Sequence, residues 1–165
     1  MKKTISLMLA LLLSFACFGA MASELSFEAT TVEFADQGLS IALPSNWDVL
    51  AIDEATKAAG IFFVAKDPDS ARNVQLAYTP FDEGQTVATN EELVAQFATV
   101  YPDAQVISHN GLDFVAFTAA EQNMACFTLL SGDLTGLYMF NFIPADDVDL
   151  APIAMDIVGS LESIE

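Results

Sequence analysis

His109 is the chain's one histidine, and Cys17 and Cys126 are its two cysteines; these side chains are the best suited to nucleophilic or proton-transfer chemistry. A nucleophile needs an adjacent base, so a couple of Cys126 with His109 is the arrangement to test. Each residue also has a plainer reading. His109 adjoins the turn Asn110-Gly111, where a polar ring tolerates exposure. Cys126 sits in "MACFTLL", a strand-like run in which a thiol behaves as a small hydrophobe. No G-x-S-x-G elbow, H-E-x-x-H pair or phosphate loop occurs. With so few His and Cys residues, a tight zinc site would fall to carboxylates, an unusual set. The expectation is no enzyme, no catalytic residue and no cofactor.

Carboxylates are plentiful. "DPDSARN" groups Asp67, Asp69 and Asn73, and "ADDVD" groups Asp146, Asp147 and Asp149, all oxygen ligands that calcium accepts. Neither stretch has the glycine and terminal glutamate of an EF-hand loop. Arg72 lies inside the first and can neutralise its acids. Solvated loop and helix cap are the expected roles, with no metal site.

The remaining candidate is the chain's single tryptophan, in "GLSIALPSNWDVL", residues 38–50. An alternating strand stops at Pro44, which cannot extend a ladder, and Ser45-Asn46 can hold a turn through local side-chain hydrogen bonds. Trp47 then either folds back as a lid over the open end of the core or stands out as an anchor for a partner. Asp48 points to solvent. On the second reading, Trp47 and Asp48 form the candidate partner surface.

Elements that could position these residues follow from periodicity. Residues 31–35 and 39–43 read as a hairpin turning at Gly38. "IDEATKAAG" reads as one or two helical turns ended by Gly60, and "IFFVAK" and "NVQLAYT" as two strands around "DPDSAR". In "TNEELVAQFATVYPD", Thr89 and Glu92 have capping-box spacing. Leu93, Val94, Phe97 and Tyr101 share a helical face, and Pro102 is the expected stop. Asn110-Gly111 joins two β-prone segments, and a second hairpin turns between Ser131 and Gly136. Residues 137–143 are apolar on both faces, with Leu137, Met139 and Ile143 on one and Tyr138, Phe140 and Phe142 on the other. A sheet of such strands is covered on both sides, and the helices are the expected covers. After Pro144, Asp149 is a candidate cap with Pro152 in the first turn, and Ile153, Ile157, Leu161 and Ile164 form the buried stripe. The expected fold is α+β: a three-layer α/β/α sandwich around a mainly antiparallel sheet.

The first 22 residues have Lys2 and Lys3, an apolar run from Ile5 to Phe18, and a small-x-small end at Ala20-Met21-Ala22. That is the layout of a signal peptide cleaved after Ala22. Its apolar run is shorter than the roughly 20 residues a bilayer span needs. Lipidation at Cys17 is less favoured, because Ser14 and Phe15 stand where a lipoprotein signal has aliphatic and small residues. Residues 23–165 then form a single exported domain, secreted or otherwise extracytoplasmic, with no stable membrane insertion. Cys126 alone remains there, so no intramolecular disulfide is available. Removing Lys2 and Lys3 takes the formal charge from −18 to −20. Such a surface repels phosphate backbones, which excludes nucleic acid, and disfavours anionic lipid. Its acidity suits cationic peptides or divalent ions, and the plainer reading is that it simply keeps an exported domain soluble.

The order of these elements, with "GLSIALPSNWDV" and "NVQLAYTP" in place, resembles the PsbP-like fold over roughly residues 29–165. That family is named for an extrinsic photosystem II protein, and includes a Ran-binding import factor and exported bacterial proteins. The resemblance implies an adaptor or accessory role and carries over no site residue. Two functions are therefore expected: a noncatalytic interaction module for another exported or envelope protein, or a carrier whose apolar ligand lies among Phe114, Phe140 and Phe142 between sheet and helix.

Overall fold

Residues 25–85 and 87–164 are described by the structure, a computed structural model. The expected leader, its cleavage point at Ala22, and Cys17 lie outside the described residues.

The hairpin signals produce hairpins. Strands β1 (Ala29–Phe34) and β2 (Leu39–Pro44) pair antiparallel around a 3-10 turn, with Gly38 at φ +64°. After β3 (Asp48–Val49), helix α1 (Glu54–Ala58) is capped by Asp53, whose Oδ1 accepts the Thr56 N–H at 2.8 Å. Strands β4 (Ile61–Lys66) and β5 (Asn73–Pro80) follow, then α2 (Asn90–Phe97). Asn110 and Gly111, at φ +51° and +81°, form the two-residue turn between β6 (Gln105–His109) and β7 (Leu112–Ala119), the geometry an Asn-Gly pair adopts most readily. β8 (Met124–Leu130) and β9 (Gly136–Ile143) complete the meander, and α3 (Leu150–Gly159) and β10 (Glu162–Ser163) end the described chain.

Seven strands form one antiparallel sheet in the order β3-β4-β5-β9-β8-β7-β6. Its two faces are both apolar, as the pattern of β9 predicts. Phe114, Phe127, Phe140 and Phe142 face one side and pack with Ile41, Trp47, Ile157 and other residues in the main core. Val115 and Leu137 face the other side, under Leu93 of α2 and Val87. Burying one such aromatic or aliphatic side chain contributes about 1.5–3 kcal/mol, so both faces add to stability. The result is the expected α+β, three-layer, mainly antiparallel fold.

The covers are not helices alone. β1, β2 and β10 form a second, three-stranded sheet, which lies with α3 over the main face through Phe34, Ile41 and Leu43. β10 pairs Glu162 with Ser40 and Ser163 with Leu39 of β2. Ile164 N–H donates to the Gly38 carbonyl at 2.9 Å, and Ala42 N–H to Ser160 Oγ at 2.8 Å. Hence α3 stops at Gly159, earlier than the stripe through Leu161 and Ile164 implies, because the chain turns there so that Glu162 and Ser163 can pair with β2, while Leu161 still packs on the main core. Helix α2 likewise stops at Phe97, before Pro102. Tyr101 still reaches its place: its N–H donates to the Phe97 carbonyl at 2.7 Å, and its ring stacks on Phe117 with centroids 4.4 Å apart.

Candidate functional site

Trp47 is 8% exposed and belongs to the main core. The turn that directs it inward is held by Ser45 N–H to the Glu28 carbonyl and Trp47 N–H to the Pro44 carbonyl, at 2.8 and 3.0 Å. The indole is packed in the core, the position that the lid reading expects, whereas the anchor reading calls for an exposed ring. Asp48 is exposed and stands opposite Lys66 in the β3–β4 register. The apolar side chains offered to solvent here are Val49 and Leu50.

Cys126 and His109 are on opposite faces of the large sheet. Cys126 packs beside Phe117 and Ala119 on the α2 side. His109 shares the parity of Ile107, which packs in the main core on the α3 side. It is not held out on an exposed turn: its ring lies where a Cβ on Gly159 of α3 would sit. Its Nε2 is 3.6 Å from Asp156 Oδ1, while Asp156 Oδ2 accepts the Ser26 N–H at 2.7 Å. The two residues cannot work as a nucleophile and base across a sheet. Burial pushes the Cys126 thiol up to about 11, with the Asp103 charge adding to the effect. At neutral pH it is a thiol, not a thiolate. In a chain starting at Ser23, native Cys126 should therefore react slowly with a disulfide reagent and rapidly once unfolded in urea, and Cys126→Ala should cost about 1 kcal/mol or more. Fast labelling of the native chain would show that the thiol is reachable.

The two carboxylate loops meet through Arg72. Its Nε donates to Asp147 Oδ2 at 2.6 Å and its Nη2 to Asp147 Oδ1 at 3.1 Å, with Asp149 Oδ2 at 3.3 Å. Asp67 is occupied locally, accepting the Asp69 N–H and the Ser70 hydroxyl. Asp149 starts α3 without a side-chain cap bond, and its own N–H donates to Asp147 Oδ1 at 3.0 Å. A guanidinium thus stands where a cation would sit. Among the described residues no group of three or more His, Cys, Asp or Glu is arranged to hold a metal.

The Arg72 hydrogen bonds hold the Asp147 carboxyl below the usual range, and the Asp69 N–H does the same for Asp67. Asp133 is lowered by the Ser131 and Thr135 side chains. A carboxyl lowered in the folded state stabilises it above the unfolded value, and that contribution disappears as pH falls through the folded value. The melting temperature should consequently decline on the acid side, below the ordinary aspartate range. Asp147→Asn should flatten that decline and leave the neutral side similar in shape. An acid limb identical in wild type and variant would rule out the Arg72 pair as its source.

Among the described residues, two open grooves border α1. The larger, about 560 Å³, lies between the β1–β2 turn and the start of β4, with Glu33 and Asp36 on the turn side and Ile52, Lys57, Ile61 and Phe62 opposite. The smaller, about 310 Å³, shares Ile52 and Ile61 with it and extends to Leu50, Val64 and Gln75. These residues carry no motif; they are brought together from three separate segments. The aromatics named for an internal ligand, Phe114, Phe140 and Phe142, line neither groove and are 0–1% exposed.

No family model matches the sequence, and no curated protein does. The structure is similar to the solution structure of cyanobacterial PsbP (CyanoP) from Synechocystis sp. PCC 6803. The TM-score is 0.58 at 12% identity, over 88% of this chain and 98% of that one. The chain has a PsbP-like fold. This PsbP-like chain also matches a crystal structure from Bacteroides thetaiotaomicron VPI-5482 with a TM-score of 0.49 at 15% identity, covering 78% of this chain and 46% of that one. No helix among the described residues is long and apolar enough to cross a membrane.

Proposed function

We propose that this PsbP-like domain is an exported, noncatalytic accessory module that binds another exported or envelope protein. The observation that supports it most is the separation of its reactive side chains: Cys126, a buried thiol, and His109, under α3, lie on opposite faces of a sheet. What the surface offers instead is charge and shape. A formal charge of −18 keeps phosphate-rich polymers and anionic lipid away, and two open grooves border α1. The leader-like first 22 residues support an extracytoplasmic place of work.

The test is purification of the tagged chain from its own host under mild conditions, with intact mass and native mass spectrometry of what elutes. The expected product begins at Ser23 and travels as a defined heteromeric complex. A diacylated Cys17 terminus would overturn the processing. A chain that elutes alone with a stoichiometric small apolar molecule would replace the module by the carrier.

A further inference from the structure

We propose that the groove between the β1–β2 turn and the start of β4 receives a short extended segment of the partner protein, one that places an apolar side chain next to a lysine or arginine. This assignment rests on the interaction-module reading and names the surface it uses.

The floor is apolar and held in place. Ile52, Ile61 and Phe62 form it, and the Phe62 ring packs edge-on against Phe34 with centroids 5.3 Å apart. At about 560 Å³ the space is of the size that pockets use to take a bulky group. The smaller groove beyond Ile52 and Ile61 continues the track, with Asp53 on its border.

The rim decides the charge of the guest. Glu33 and Asp36 are exposed and make no ion pair among the described residues. Lys57, the cation on the opposite wall, is 2.8 Å from Glu54 Oε1 on its own helix. Arg72 is held by Asp147 and Asp149, and no Lys or Arg follows it in the sequence. The chain therefore supplies little positive charge to neutralise this rim, and a basic residue on the guest completes it. A second copy of the same acidic chain would be repelled.

The backbone favours an extended guest. β3 pairs with Ala65 and Lys66 alone, and the last bond on that edge runs from Leu50 N–H to the Val64 carbonyl at 2.9 Å. Beyond it, among the described residues, Ile61–Phe63 has no strand partner on that side; Ile52 and α1 lie beside it and line the grooves with it. An extended segment laid along such a groove gains specificity from the pockets its alternate side chains fill.

Peptides repeating Val-Lys, Val-Glu and Ser-Lys, titrated into the isotope-labelled chain from Ser23, test the proposal by amide resonance shifts. Val-Lys should shift residues 33–37, 52–53 and 60–62 saturably, and the other two should not. Glu33→Lys with Asp36→Lys should weaken Val-Lys binding roughly fivefold or more, whereas Glu91→Lys with Glu121→Lys, equal in charge and remote, should leave it near wild type. Asp36→Asn, a milder change, should fall between. Shifts elsewhere, equal binding of Ser-Lys, or equal weakening by the remote pair would each overturn the groove assignment. The complex isolated from the host separates the two levels. If it survives Glu33→Lys with Asp36→Lys, the groove falls and the module stands; if no complex forms with wild type, the module itself falls.

Discussion

Trp47→Ala should destabilise the domain by about 3 kcal/mol or more, a fall in melting temperature of roughly 10 °C. The indole is 8% exposed and closes the main core where β2 ends, so its removal leaves a void between the two sheets that Pro44 and the bonded turn cannot collapse to fill. The cost is the lost transfer of a large aromatic plus the cavity left behind. Chemical unfolding of the two proteins measures it. An unchanged midpoint accompanied by loss of the host complex would reinstate Trp47 as a binding anchor.

Phe142→Ala should cost about 3–5 kcal/mol. Its ring is 0% exposed and meets Phe127 edge to face with centroids 5.6 Å apart, an arrangement that adds to simple burial. The same substitution tests the carrier function. Were Phe140 and Phe142 the lining of a ligand cavity, truncation would enlarge an existing space and cost far less. Urea unfolding therefore distinguishes the two, and a loss below about 1 kcal/mol would favour an internal cavity.

The local signals are legible in the sequence because each is complete within a few residues. Asn110-Gly111 supplies two positive φ angles, and Thr89 accepts the Glu92 N–H at 3.2 Å. The Glu92 carboxylate departs slightly from the expected box, reaching the N–H of Ala88. The two-sided apolar pattern of β9 correctly required a covered sheet. What covers it is less legible, because Phe34, Ile41 and Leu43 fit a hairpin inside the main sheet as well as one lying across it. The end of α3 is hidden for a related reason: Leu161 and Ile164 keep the helix periodicity while the backbone has already turned to pair with β2. Arg72 and Asp147 are 75 residues apart, and the groove joins three segments; no local spacing encodes either meeting. His109 illustrates the same limit, since its neighbour Gly159 is distant in sequence and close in space.

The clasp of β10 on β2 sets an order on assembly. Ala42 and Ser160, joined by a hydrogen bond, are separated by 118 residues, and Ser26 and Asp156 by 130. A chain threaded from its amino end delivers the first hairpin early, yet that hairpin keeps a bare edge along Leu39 and Ser40 until the final residues arrive. Contacts this remote in sequence bear their loop-closure entropy before any reward, which makes folding slow and late. The second sheet is therefore complete only once the last described residues have paired with the first hairpin, so the amino-terminal layer depends on the tail for its outer strand.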